Sequence, residues 1–164
     1  MSDNLTASVT GDFDARLQAW FDQRGWRLFD FQREACDAYL AGESGLIHSP
    51  TGSGKSLAAW LGPLAEAAAA GGADGGPRVL WITPLRALAV DTRENLAEAA
   101  AALGSDWRVE VRSGDTSQTV RARQRRRPPE ALVTTPESLS VLLSYADGAS
   151  WFRRLACVVV DEWH

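Results

Sequence analysis

The sequence predicts an α/β fold, a parallel sheet with helices on both faces. Three observations carry this. The candidate strands are continuous apolar runs, such as Val79–Ile82 and Cys157–Val160, rather than alternating ones. Helical segments alternate with them along the chain. The length, 164 residues with 45% hydrophobic and 23% charged side chains, is that of one globular domain.

The elements follow in order. Residues 1–12 are polar and expected to be disordered, leaving 13–164 as the domain. Phe13, Leu17, Trp20 and Phe21 fall at helical spacing, so a helix is expected over 13–24, stopped by Gly25. Asp30 starts a second helix that ends at Gly42. Gly45 to His48 reads as a short strand, followed by a loop to Gly54 and a helix from Lys55 into the alanine run 67–70. The segment 71–76, GGADGG, reads as a surface loop. Val79–Ile82 is the next strand. Thr83 is a suitable N-cap and Pro84 a suitable first helical residue, so a helix is expected over 84–102. A strand near 107–111, a turn over 113–116 and a basic helix over 117–127 come next, the last ended by Pro128 and Pro129. Strand 131–134 meets a second Thr-Pro start at Thr135 and Pro136, with a helix to about 144. The last strand is Cys157–Val160.

Composition excludes several function classes. No apolar run approaches the roughly 18 residues of a membrane helix. The start lacks the basic segment and apolar core of a secretory signal. Cys36 and Cys157 lie far apart without a CxxC pair, so neither a disulfide framework nor a zinc site is indicated. Both read as small buried hydrophobes. A cytoplasmic setting is expected. The net charge of −4 does not advertise a nucleic-acid binder, so such a role must come from local features. Lys55 is the only lysine among 17 basic residues, and it stands inside SPTGSGKS.

That segment, 49–56, follows a candidate strand and opens a helix, the context of a phosphate-binding loop. Backbone N–H groups of Thr51, Gly52, Ser53 and Gly54 would point at phosphate oxygens. The start of the helix adds partial positive charge. Lys55 would reach the β- and γ-phosphates of ATP, and the Ser56 hydroxyl would ligate Mg²⁺. Ser49 stands where the general pattern has its first glycine. After the last strand, Asp161 would enter the Mg²⁺ shell and Glu162 would orient and deprotonate the attacking water. The arginines at 121, 123, 125, 126 and 127 form the densest charge cluster. They spread around a helix, as solvated surface charge does, with phosphate attraction as the alternative. The tryptophans, Trp60, Trp81 and Trp107 among them, read as core or interface residues, and His48 as packed at a strand end.

TGSGKS, TPLRAL, TTPESL and DEWH stand in the order of motifs I, Ia, Ib and II of superfamily 2 helicases. The stretches RGWRLFDFQREA, SGLIHSPTGSGKS, RVLWITPLRALAVDT, RSGDT, ALVTTPESLSVLLSY and VVVDEWH resemble the ligase-associated DEXH-box helicases, bacterial members of the large-helicase-related (Lhr) family. The resemblance spans about residues 15–164. It implies a RecA-like sheet, the first of two helicase domains and incomplete at its C-terminus, using ATP and Mg²⁺.

It also implies roles for further residues. Gln32 corresponds to an adenine-reading glutamine, with Phe29 or Trp26 packed on the base. The helix starts at Thr83-Pro84 and Thr135-Pro136 would hold one DNA strand, with Arg86 adding a charged contact. Gly114 lies in a family loop near the DNA. His164 would couple the ATP and nucleic-acid sites. The implied partners are single-stranded DNA or a tailed duplex, a second RecA-like domain of the same polypeptide, a DNA ligase and a repair nuclease. The implied activity is 3′-to-5′ translocation and unwinding in DNA repair, in the nucleoid-associated cytoplasm of a bacterium. Since the chain stops at motif II, negligible ATPase activity, marginal stability and a tendency to aggregate are expected of it alone. The rival readings are an RNA or RNA–DNA hybrid helicase, a phosphate-loop ATPase that does not move on nucleic acid, and a non-enzymatic binding module.

Overall fold

A computed structural model describes residues 2–70 and 75–162, with side chains from Gly11 onward. His164 and most of the Gly-rich segment 71–76 therefore lie outside the described residues. In chain order the elements are α1 (Ser2–Arg24), α2 (Asp30–Leu40), α3 (Lys55–Ala70), β1 (Val79–Ile82), α4 (Arg86–Ala102), β2 (Val109–Arg112), α5 (Gln118–Arg126), β3 (Ala131–Thr134), α6 (Pro136–Leu143), α7 (Gly148–Trp151) and β4 (Cys157–Val160). They fall into two compact units, 1–72 with 98–106, and 73–97 with 107–164.

The first unit is helical. The predicted apolar stripe of α1 is buried through Phe13, Leu17, Trp20 and Phe21. Trp20, Phe21 and Trp26 pack edge to face, and the Arg24 guanidinium lies over the Trp20 and Trp26 rings. Trp60, Leu61 and Leu64 of α3 are buried in the same unit. Gly62 of α3 is required by packing, because a Cβ there would stand 2.7 Å from the Tyr39 ring of α2.

The second unit holds a four-stranded sheet, all parallel, in the order β2-β3-β1-β4. Leu80 pairs with Leu132 in register, and both join Leu142 of α6 in a cluster with Tyr145, Trp151, Phe152 and Leu155. The neighbouring residues Trp81 and Val133, which point to the opposite face, are also buried. β1 and β3 are thus covered on both faces, as continuous apolar runs predict. At the N-terminal rim Glu130 is buried and accepts from the Arg108 backbone N–H, Nε and Nη2 at 2.9, 3.1 and 2.9 Å. That link joins the approaches to β2 and β3.

Five expectations need correction. α1 begins at Ser2, so the segment expected to be disordered is helical in backbone. No proline interrupts 2–24, and helix propagates readily from an anchored turn. Residues 45–48 form no strand, and Leu46 is 82% exposed. A strand exists through its ladder, and this segment has none among the described residues. α4 starts at Arg86, so Thr83 does not cap it. Thr83 is instead buried, its N–H donating to the Thr134 carbonyl at 3.0 Å as an extension of the β1–β3 ladder. β4 is an edge strand with Val158 and Val160 exposed, so its apolar run is not buried throughout. Finally, Cys36 and Cys157 are half-buried, and His48 is exposed. Among the described residues no helix is long and apolar enough to cross a membrane.

Candidate functional site

In the first unit, the loop before α3 has the backbone that a phosphate cradle needs. Gly52 and Gly54 have φ of +80° and +87°, in the left-handed region that favours glycine. At Gly54 a second constraint applies, since a Cβ would meet the Gln32 amide nitrogen at 2.5 Å. Ser53 N–H donates to the Pro50 carbonyl at 3.3 Å, and the Ser49 hydroxyl donates to that of Ser53 at 2.6 Å. Lys55, the first residue of α3, turns its ammonium back onto the loop. Its Nζ donates to the carbonyls of Ser49 at 2.7 Å and Pro50 at 3.1 Å. The lysine therefore satisfies the loop internally while standing over its mouth. Thr51 and Ser56 are exposed beside it.

Gln32 is 2% exposed, and both ends of its amide meet backbone. Its Oε1 accepts from the Phe29 N–H at 3.0 Å, half of a capping box at the start of α2. Its Nε2 donates to the Gly54 carbonyl at 3.1 Å. The sequence suggested an adenine reader; the structure places this amide as a tie between α2 and the phosphate loop. Phe29, stacked on Phe31, and Trp26, under the Arg24 guanidinium, are 50% and 48% exposed.

In the second unit, Asp161 and Glu162 follow β4. Asp161 N–H donates to the Ile82 carbonyl at 2.8 Å, carrying the β1–β4 ladder one residue further. Its carboxylate accepts from the Trp81 indole N–H at 3.3 Å and from the Glu162 N–H at 3.0 Å. Trp81 is thus a positioning group that sequence reasoning missed. A tryptophan inside an apolar run reads as core, and nothing local signals its partner 80 positions on. Glu162 has φ of 53°, which costs a non-glycine residue about 1 kcal/mol or more and holds the side chain away from the strand direction.

The remaining predicted residues gather at the C-terminal rim of the same sheet. Thr135 caps α6, its hydroxyl accepting from Ser138 N–H at 3.4 Å, and Pro136 occupies the first helical turn. The Glu137 carboxyl is held below its ordinary value by its own backbone N–H, by the Thr135 hydroxyl and by the Arg86 charge. Arg86 pairs with Asp115 at 2.9 Å. The Arg86 guanidinium lies against Gly114, where a Cβ would stand 2.6 Å from its Nη2. Pro84 and Arg86 are exposed, whereas Thr83 and Thr135 are buried.

The arginine cluster divides. Arg121 donates to main-chain carbonyls of the 113–116 turn, Arg123 to Glu110 at 2.9 Å, and Arg125 to both oxygens of Asp147 at 2.9 Å. Arg126 and Arg127 are exposed.

Each unit by itself offers donors of a kind that suits Mg²⁺ or nucleotide. Ser56 and Asp161 offer hard oxygens, and the glycine loop offers N–H groups and one ammonium. Among the described residues no group of three or more His, Cys, Asp or Glu side chains gathers.

A parallel sheet in one unit and, in the other, a glycine loop that opens a helix are the elements of a RecA-like helicase fold. Residues 29–164 match the DEAD/DEAH box helicase family, and the chain belongs to it. It is similar to the Lhr helicase/probable uracil glycosylase of Mycolicibacterium smegmatis, at 36% identity over 96% of this chain and 11% of that protein. It is also similar to the ATP-dependent helicase Lhr-Core of Methanothermobacter thermautotrophicus, at 34% identity over 95% of this chain and 20% of that one. Among solved structures, the Mycobacterium smegmatis helicase Lhr bound to ssDNA and AMP-PNP superposes with a TM-score of 0.74, at 34% identity over 90% of this chain and 20% of that one. The chain thus spans between a tenth and a fifth of the relatives it matches.

Proposed function

We propose that this chain is the ATP-binding part of a helicase that couples ATP hydrolysis to movement along single-stranded DNA and to unwinding of a tailed duplex. The observation that carries the reading is the loop 49–54, whose positive-φ glycines and inward-turned Lys55 form a phosphate cradle at the start of α3. Similarity to a helicase solved with single-stranded DNA and a nucleotide analogue supports DNA as the track. The proposal extends to a setting in bacterial DNA repair, with a DNA ligase and a nuclease as partners, on the resemblance of the sequence motifs to the ligase-associated helicases alone.

Each residue then has a task. Lys55 exchanges its two carbonyl partners for β- and γ-phosphate oxygens of ATP. Backbone N–H groups of 51–54 orient the chain of phosphates. Gln32 holds the Gly54 carbonyl and keeps a second N–H and a second lone pair with which to read adenine. Ser56 and Asp161 would hold Mg²⁺, which when bound neutralises charge on the transferring phosphoryl group. Trp81 fixes the Asp161 carboxylate. Glu162 orients the attacking water and accepts its proton. Arg86 and the helix starts after Thr83 and Thr135 grip the phosphates of one strand. His164 relays between the nucleotide and the strand. A second RecA-like domain of the same polypeptide supplies the arginines that complete the hydrolytic site.

ATP hydrolysis by the full-length protein that carries this chain, measured with and without single-stranded DNA, tests the reading. DNA stimulation that Lys55→Ala abolishes is the expected result. Hydrolysis indifferent to DNA would leave a nucleotide hydrolase of another purpose. Stimulation by RNA alone would move the substrate.

A further inference from the structure

The residues 113–116 form a closed turn. Thr116 N–H donates to the Ser113 carbonyl at 3.2 Å, and Ser113 N–H donates to the Thr116 hydroxyl at 2.9 Å. The turn projects from β2, between the strand and α5. Two arginines reach it from outside, Arg86 through the Asp115 carboxylate and Arg121 through its main chain. Arg121 donates from Nε to the Thr116 carbonyl at 2.8 Å, and from Nη2 to the carbonyls of Ser113 and Gly114, both at 3.0 Å.

Arg121 stands near the N-terminal end of α5, where the helix dipole disfavours a cation. Its guanidinium fork is matched to three main-chain acceptors, a geometry an ammonium on a flexible stem does not reproduce. The turn so held presents two things to Arg86: the Asp115 carboxylate at 2.9 Å and the bare α-carbon of Gly114. The Arg86 and Asp115 side chains are 62% and 73% exposed, so their ion pair alone gives little fixation. Orientation of Arg86 depends on where the turn stands.

We infer that Arg121 is a positioning residue for the nucleic-acid contact of Arg86, acting through the 113–116 turn and not by touching phosphate itself. The inference rests on the functional reading above, in which Arg86 meets a strand phosphate. Arg121 sets the turn, the turn sets Asp115 and Gly114, and these aim the remaining N–H donors of Arg86 outward.

The test is the affinity of the full-length protein for a fluorescently labelled single-stranded oligodeoxynucleotide, by anisotropy across a salt series. Arg86→Ala, Arg121→Ala and Arg121→Lys are compared, with the double variant Arg86→Ala/Arg121→Ala. Each single variant is expected to weaken binding about tenfold and to lower the salt slope by about 1, the signature of one lost phosphate contact. Arg121→Lys keeps the charge and is expected to be as weak as Arg121→Ala. The double variant is expected to be no weaker than Arg86→Ala, because both act on one contact.

Near wild-type binding by Arg121→Lys would overturn the inference, since charge alone would then suffice. Losses that multiply in the double variant would overturn it too, by making Arg121 an independent contact. Gly114→Ala guards against an Arg121 variant that fails to fold. It leaves the Arg121 hydrogen bonds in place but sets a methyl where the Arg86 guanidinium lies, and is expected to match Arg86→Ala; wild-type affinity in Gly114→Ala would count against the turn as the aiming element. Absence of DNA binding by the unmodified protein would sink the functional reading, whereas intact binding indifferent to Arg121→Lys sinks this inference alone.

Discussion

At the scale of single residues, Gln32 shows how one buried amide can serve two backbones. It caps α2 through Phe29 and pins Gly54 in the phosphate loop. Gln32→Ala leaves the Phe29 N–H and the Gly54 carbonyl without these partners, and is expected to lower stability by about 1–3 kcal/mol in urea denaturation. If the amide were instead a surface group waiting for adenine, the same variant would melt like wild type and lose only nucleotide affinity. The positive-φ glycine loop opening a helix at Lys55, and the place of Asp161 and Glu162 directly after a strand, were legible in the sequence because spacing and flanking elements signal them locally. The tie from Gln32 to Gly54, the bond from Trp81 to Asp161 and the grip of Arg121 on the turn were not. Each depends on a partner brought close by the fold, and side-chain type says nothing of that partner.

Secondary-structure elements record a similar limit. Two Thr-Pro pairs look alike in sequence, yet only Thr135 caps a helix. Thr83 continues the sheet ladder instead, and its helix starts at Arg86. A local signal for a helix start competes with a neighbouring strand for the same backbone groups, and at Thr83 the strand wins. The run 121–127 read as solvated charge, but Arg125 takes both oxygens of Asp147, the residue that precedes α7.

That hydrogen-bonded pairing holds the Asp147 carboxyl below its ordinary value. A carboxyl depressed in the folded state stabilises fully above its unfolded pKa, and that contribution is lost as pH falls through the folded value. The melting temperature is therefore expected to hold from neutral pH down to about 5 and to decline below about 4, the range of unperturbed carboxylates. Asp147→Asn is expected to lose less below about pH 4 than wild type. An identical acid profile for the two proteins would show the pair to be inert. Cys36 moves the other way, its thiol pushed up to about 11 by burial and then by the charges of Asp37 and Asp14, so it stays a poor nucleophile at neutral pH.

For the molecule as a whole, the α/β class and the parallel sense of the sheet were legible from apolar runs and alternation. The order β2-β3-β1-β4 was not, since register and neighbour choice are decided by packing between distant segments. Nor was the loss of the strand expected at 45–48, which reads as apolar chain whether or not a neighbour pairs with it. β4 carries the cost of an edge position. Val158 and Val160 are 53% and 46% exposed on a strand paired along one side only. The isolated chain is expected to self-associate with rising concentration in light scattering, and Val160→Lys to reduce it. Scattering unchanged by that substitution would place the association elsewhere.

Because all strands of the second unit run the same way, its two rims do different work. The start of the sheet is fastened by Arg108 and Glu130, while Thr83, Ser113, Thr135 and Asp161 all follow strand ends at the other rim. Changes in what the domain binds and changes in how firmly it stands can therefore accumulate at separate addresses. Under the proposed function, substitutions confined to the exit loops are expected to alter what is bound while leaving the fastening at the opposite rim untouched.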